Sequence, residues 1–201
     1  MYYGKDYTLE ELTVSRTAKK LGLDNSPATA AHASNLALLE NFLNSIPFDF
    51  TITSVYRSPV VNSAVGGSSS SQHMNALAVD LTPHGMTNKE LATWFWVHKN
   101  DYPELDQVIW YSDTTHNHIG VCPPGAQNCV SGAPRGHFYT AKNESGGYTR
   151  WLPDAASMDE TLAMYQQTRP LRFAALKYTA LVIGIGGLVG LGYTLWKRNR
   201  R

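Results

Sequence analysis

The chain has 201 residues, with 17 Lys and Arg against 16 Asp and Glu and a formal net charge of +1. That length suits one ordinary domain plus an appendage. With almost no excess positive charge there is no basic field of the kind nucleic acids recognise, so no nucleic-acid partner is expected.

The first thirty residues contain no apolar run behind a basic start, so no cleavable signal peptide is expected there. Thr8 and Glu11 form a capping box that predicts a helix to about Lys20, with Gly22 as its stop. A second helix is predicted from Ser26 as N-cap and Pro27 at its first position, through Leu36, Leu39, Phe42 and Leu43 towards Pro47. FDFTITSVY, residues 48–56, alternates and is rich in aromatic and β-branched residues, which predicts a strand ended by Arg57-Ser58-Pro59. A short helical turn over residues 60–65 and the loop GGSSSSQH come next.

LAVDL, residues 77–81, is a short apolar strand carrying one aspartate, and Thr87 with Glu90 caps a helix through Leu91, Trp94, Phe95 and Val97. LDQVIWY and HIGVC are two further strands, so the expected fold is α+β, a small antiparallel sheet with helices packed on it. Residues 122–148 are rich in Gly, Pro, Ser and Asn and predict an extended loop or hairpin. Within it Cys122 and Cys129 enclose CPPGAQNC, which is compatible with a disulfide or with two free thiols. Ser157 and Glu160 cap a last helix before Arg169-Pro170.

Residues 178–196, YTALVIGIGGLVGLGYTLW, are nineteen residues without a charge. At about 1.5 Å per residue they nearly match a hydrocarbon core of about 30 Å, so a single transmembrane helix is expected, with the lipid bilayer as a partner. Tyr178 and Trp196 read as interface aromatics, and Lys197, Arg198, Arg200 and Arg201 as a basic tail that the positive-inside rule keeps in the cytoplasm. Arg169, Arg172 and Lys177 on the other flank reduce that contrast. Gly186 and Gly190 make a GxxxG step through which two such helices could pair as a homodimer.

The chemistry-bearing residues cluster around the LAVDL strand. A carboxylate in an apolar strand is costly to bury without a cation or hydrogen bonds. Asp80 is such a carboxylate, His73 stands seven residues before it, and His116 and His118 lie further along on one face of a strand. Imidazole and carboxylate donors suit zinc, and three protein ligands leave the open position that catalysis needs. His32, His84, His98 and His137 have no partner at ligand spacing and read as surface or loop residues.

The run SVYRSPVVNSAVGGSSSSQHMNALAVDL resembles the core motif of the D-Ala-D-Ala metallopeptidases, relatives of the lysostaphin-type peptidases and of the hedgehog signalling domain. That pattern reads YRSP, then N-x-x-V-G-G, then S-x-H-x-x-G-x-A-x-D, with a last histidine on a later strand. The resemblance spans about residues 9–121. It implies that His73, Asp80 and His118 hold one zinc ion and that Arg57 and Ser71 contact substrate. The implied activity is hydrolysis of peptide bonds in bacterial peptidoglycan, as an endopeptidase or a D-Ala-D-Ala carboxypeptidase. The expected organisation is a peptidase domain over residues 1–152 with a loop extension at 122–150, a helical linker 153–170, the anchor 171–196 and a basic tail 197–201.

Two positions depart from the pattern. Ala76 replaces the motif glycine, which a turn with negative φ would tolerate. Tyr111 stands where many members carry a glutamate, so His116, then Asp113, are the candidates for general base or transition-state stabiliser. A phage-type enzyme of cell-wall entry or lysis is expected, in a virion membrane or bacterial inner membrane. The competing expectation is a catalytically silent zinc module that binds cell-wall peptide, which Tyr111 favours.

Overall fold

The computed structural model describes residues 7–124, 126, 129 and 136–168. The first helix breaks in two. The Thr8–Glu11 capping box forms, with the Thr8 N–H donating to Glu11 Oε2 at 3.2 Å, but it starts only a 3-10 turn, Glu11–Thr13. Val14 is extended, Ser15 caps again through its side chain, and helix α1 is only Arg16–Leu21, ended by Gly22 at φ 65°. The β-branched Thr13-Val14 pair and a serine that prefers a cap defeat helix continuity here. Helix α2, Ala30–Ser45, begins later than Ser26 because Thr29 is the residue whose side chain accepts from the His32 N–H.

Strand β1, Phe50–Ser54, leads into α3, Pro59–Ala64, a 3-10 turn at Gln72–Asn75 and strand β2, Ala78–Pro83. Helix α4, Asn88–His98, opens on the complete Thr87–Glu90 capping box. Strands β3, Leu105–Tyr111, β4, Asn117–Val121, β5, His137–Ala141, and β6, Thr149–Arg150, follow. They form one six-stranded sheet in the order β1-β2-β4-β3-β5-β6.

This sheet corrects the expectation of a purely antiparallel one: β3 and β5 are parallel, with Ile109 opposite Tyr139. β4 runs antiparallel to β3 and ends opposite Leu105, its other edge is taken by β2, and β5 starts opposite Gln107, so β5 joins the remaining edge of β3 from the end where β4 finishes and runs parallel to it. The segment 122–148, expected as an extended loop or hairpin, contains strand β5, which pairs antiparallel with β6 through Tyr139 and Arg150.

The pairing register gives the two faces different jobs. Val79, Ile119, Val108 and Phe138 are successive cross-strand neighbours on β2, β4, β3 and β5. All four are buried, and Phe138 meets Trp96 of α4 edge-on at 5.0 Å. Under the helices, Phe95 stacks on Phe42 of α2 at 5.9 Å and meets Tyr102 at 5.6 Å. The other face carries the row Asp80, His118, Ile109 and Tyr139 across the same strands. Since neighbours in register share a face, this row places polar donors on the side of the sheet away from that core.

Cys122 and Cys129 are joined by a disulfide, with Cα atoms 5.9 Å apart. Helix α5, Ala155–Thr168, starts where Asp154 Oδ1 accepts from the Ser157 N–H at 2.7 Å, so Asp154 and not Ser157 is the capping side chain. The compact unit carrying the sheet runs to Met158, and a second begins at Asp159. Among the described residues no helix is long and apolar enough to cross a membrane. The apolar segment 178–196, with its GxxxG step, lies outside the described residues.

Candidate metal centre

His73 sits in the 3-10 turn, where its backbone carbonyl accepts from the N–H groups of Arg57 and Ala76. The turn closes with Ala76 in the left-handed region, at φ 55°. The negative φ that would make the alanine an easy replacement is therefore not the one the turn adopts. The position retains the geometry that favours glycine, and the alanine carries a strain of roughly 1–2 kcal/mol.

The His73 ring is 1% exposed, and its Nδ1 donates to the Val55 carbonyl at 2.6 Å. The lone pair on Nε2 therefore faces inward, 3.1 Å from Asp80 Oδ1 and 3.2 Å from His118 Nδ1. His118 Nδ1 lies 3.0 Å from the same carboxylate oxygen. The outer nitrogen of His118 faces Gln72 Oε1 at 3.4 Å, and the Gln72 amide is oriented by its NH2 donating to the buried Asp106 at 2.6 Å.

Two ring nitrogens and a carboxylate oxygen thus converge, three groups each able to offer one ligand atom to a metal ion. The edges of the triangle, 3.0, 3.1 and 3.2 Å, are close to the ~3.3 Å expected between donors bound at about 2.05 Å to a tetrahedral zinc ion. The donor set and its size fit zinc.

Electrostatics agree with that fit. Burial outweighs the attraction of Asp80 and pushes the His73 pKa down, so the ring stays neutral and able to donate its lone pair. Burial alone would raise Asp80, but His73 and His118 more than offset it and hold the carboxyl well below its usual range. Arg57 Nη2 stands 3.7 Å from Asp80 Oδ2.

The row opens onto a cavity of about 710 Å³ whose lining includes Arg57, Ser71, Tyr111, Tyr139, Glu144 and Tyr148. Arg57 Nε is buried there without a hydrogen-bond partner among the described residues, so it remains able to donate to a substrate oxygen. A second cavity of about 430 Å³, against Asn88, Lys89 and Trp110, contains none of the three clustered donors.

His116 and Asp113 stand elsewhere. β4 begins only at Asn117, and His116, just before it, is absent from the cavity lining. It packs against Tyr111 with ring centroids 5.5 Å apart, and its Nε2 lies 3.0 Å from Glu144 Oε1, an ion-pair contact rather than an aligned hydrogen bond. Asp113 is 44% exposed at its side chain, accepts from Ser112 Oγ and lies 3.7 Å from Lys142 Nζ, outside the cavity. Of the remaining histidines, His84 meets Thr51 Oγ1 at 2.8 Å and His98 the Trp94 carbonyl at 2.8 Å.

Glu144 is the cavity residue that sequence reasoning passed over. It lies in a turn of the type Asn, Ser and Gly residues form, where Asn143 Oδ1 accepts from the Ser145 N–H and Asn143 pairs with Gly146. The contact with His116 holds Glu144 below the usual carboxylate range. Burial opposes charge on His116, but Glu144 and Asp80 outweigh it and raise that pKa. Burial, reinforced by Tyr148, raises Tyr111, whose phenol stays protonated.

One close approach supports His118. A Cβ on Gly120 would stand 2.3 Å from Gln72 Oε1, and that side chain is held by Asp106 rather than free to swing. Gly120→Ala is therefore expected to displace Gln72 from the outer nitrogen of His118. Overpacking of this kind costs about 1–3 kcal/mol, and loss of such an outer partner lowers metal affinity about 10–100-fold. Chemical denaturation and a competitive zinc titration of the variant measure the two effects.

A six-stranded mixed sheet and its adjoining 3-10 turn bring two histidines and an aspartate together beside an open cavity, in a cluster that could hold a metal ion. The chain belongs to the Peptidase M15 family, whose model matches residues 5–119, more than half of its length. That span contains His73, Asp80 and His118, and it ends before Glu144. No curated protein matches the chain.

Proposed function

We propose that this chain is a zinc peptidase that hydrolyses peptide bonds of bacterial peptidoglycan, as an endopeptidase or a D-Ala-D-Ala carboxypeptidase. The observation that carries the reading is the convergence of three lone-pair donors at the floor of the cavity, in a chain of the Peptidase M15 family. Zinc bound there would supply Lewis acidity that polarises a carbonyl oxygen and lowers the pKa of water towards about 7. Arg57, whose Nε has no hydrogen-bond partner among the described residues, holds the substrate's carbonyl or carboxylate, and Ser71 lines the same cavity. Tyr111, kept neutral by burial, offers a phenol proton to developing oxygen charge.

The organisation read from the sequence belongs to this proposal: a peptidase domain over 1–152, a linker to residue 170, and a membrane anchor over 171–196 that tethers the enzyme, as a monomer or through a GxxxG pair, to a virion or bacterial inner membrane. The Cys122–Cys129 disulfide supports a catalytic domain facing an oxidising compartment. A phage-type role in cell-wall entry or lysis follows from a wall substrate and a membrane tether. The second reading, a silent module that binds cell-wall peptide, rests on Tyr111 standing in place of an acid.

Mass spectrometry of muropeptides after incubation with the zinc-loaded full chain in detergent separates the readings. The expected result is new amino groups at one type of bond, which also names that bond. Zinc and muropeptide binding with no bond broken would establish the silent module instead.

A further inference from the structure

Hydrolysis in this cavity needs a group that accepts a proton from water, because a polarised water remains a poor nucleophile until that proton has somewhere to go. The acidic side chains that line the cavity, among the described residues, are Asp80 and Glu144. Asp80 is committed: one oxygen meets both imidazoles and the other faces Arg57. Glu144 is not committed in this way. Its side chain is 56% exposed, and among the described residues its ion-pair contact is with His116, beside the cavity, and not with the metal donors.

The position of Glu144 is built by the segment between β5 and β6. Strand β5 lies parallel to β3, and the turn that follows it, Asn143 to Gly146, returns the chain to β6. Gly146 at φ 115° and Gly147 at φ 73° adopt backbone that side chains rarely tolerate, so the turn is specified locally. Tyr148 donates its hydroxyl to the Glu144 carbonyl at 3.2 Å, tying the turn to another cavity-lining residue. The carboxylate thereby lines the cavity that holds the metal donors, from outside the segment matched by the family model.

We propose that Glu144 is the catalytic carboxylate of this enzyme, the group that moves the proton during hydrolysis. This assignment rests on the peptidase reading. Glu144 takes one proton from water as the water oxygen bonds to the scissile carbonyl carbon. It returns that proton to the amine nitrogen as the C–N bond breaks, so peptide plus water give one carboxylic acid and one amine, and the glutamate is regenerated.

The test is Glu144→Gln in the zinc-loaded full chain, with a purified cross-linked muropeptide as probe. A positioned acid–base group contributes about 10²–10⁴-fold, so kcat is expected to fall by at least about a hundredfold. Metal content should remain that of the wild type, and the Kd for the uncleaved muropeptide should stay within about threefold, since the substitution preserves shape and leaves the three metal donors intact. A variant with kcat within about threefold of wild type overturns the assignment. Loss of zinc or of muropeptide binding in parallel with kcat overturns it too, because Glu144 would then serve the metal or the substrate. A wild-type protein that binds zinc and cleaves nothing defeats the peptidase reading itself. A cleaving wild type with an equally active Glu144→Gln defeats only the role of Glu144.

Discussion

Asp80→Ala is expected to leave a protein that folds but no longer retains zinc through gel filtration, with peptide hydrolysis reduced by at least about a thousandfold. Catalytic zinc sites use three protein donors, and this substitution leaves two imidazoles with nothing opposite them. A bound metal contributes several kcal/mol of transition-state stabilisation, and each 1.36 kcal/mol is a factor of ten in rate. Asp80 is also the carboxylate that His73, His118 and Arg57 all face. Metal content by atomic absorption and release of amino groups measure the two effects. Full zinc content in the variant would place the metal elsewhere.

Phe95→Ala is expected to cost about 3–5 kcal/mol of stability, a large share of the 5–15 kcal/mol that domains generally possess. Phe95 is fully buried, and its ring is surrounded by Phe42, Trp94 and Tyr102 at centroid distances of 5.1 to 5.9 Å. So many rigid neighbours cannot collapse into the space it leaves. Urea denaturation followed by fluorescence reads the loss. Because Phe95 lies on the helix side of the sheet, away from the cavity, the folded variant should bind zinc with wild-type stoichiometry. Loss of zinc in the folded variant would show that the helix side controls the site.

Much of this molecule was legible in the sequence because its signals are local. The Thr87–Glu90 box, the strands around Thr51, Asp80 and Val108, and the helix through Leu39 and Phe42 each follow from spacing within a few residues. The failures were also local in origin. Ser26, Ser157 and the continuous first helix were plausible caps and runs that lost to Thr29, Asp154 and the break at Val14, since several residues of one cap type stood within reach of each start. Ala76 was misread because an alanine gives no warning of a positive φ that the surrounding turn imposes.

By itself the sequence pointed to His73, Asp80 and His118 as candidate metal donors, because the first two stand in a short recognisable motif, and the structure brings His118 beside them by strand pairing. Only the tertiary structure decided what else reaches the cavity. The parallel pairing of β5 with β3 joins residues about thirty apart that no local pattern links, and it is that pairing which places Glu144 in the cavity, and His116 against it, while leaving Asp113 with Lys142 on the surface. A turn glutamate and a catalytic one look alike until the chain has been folded around them.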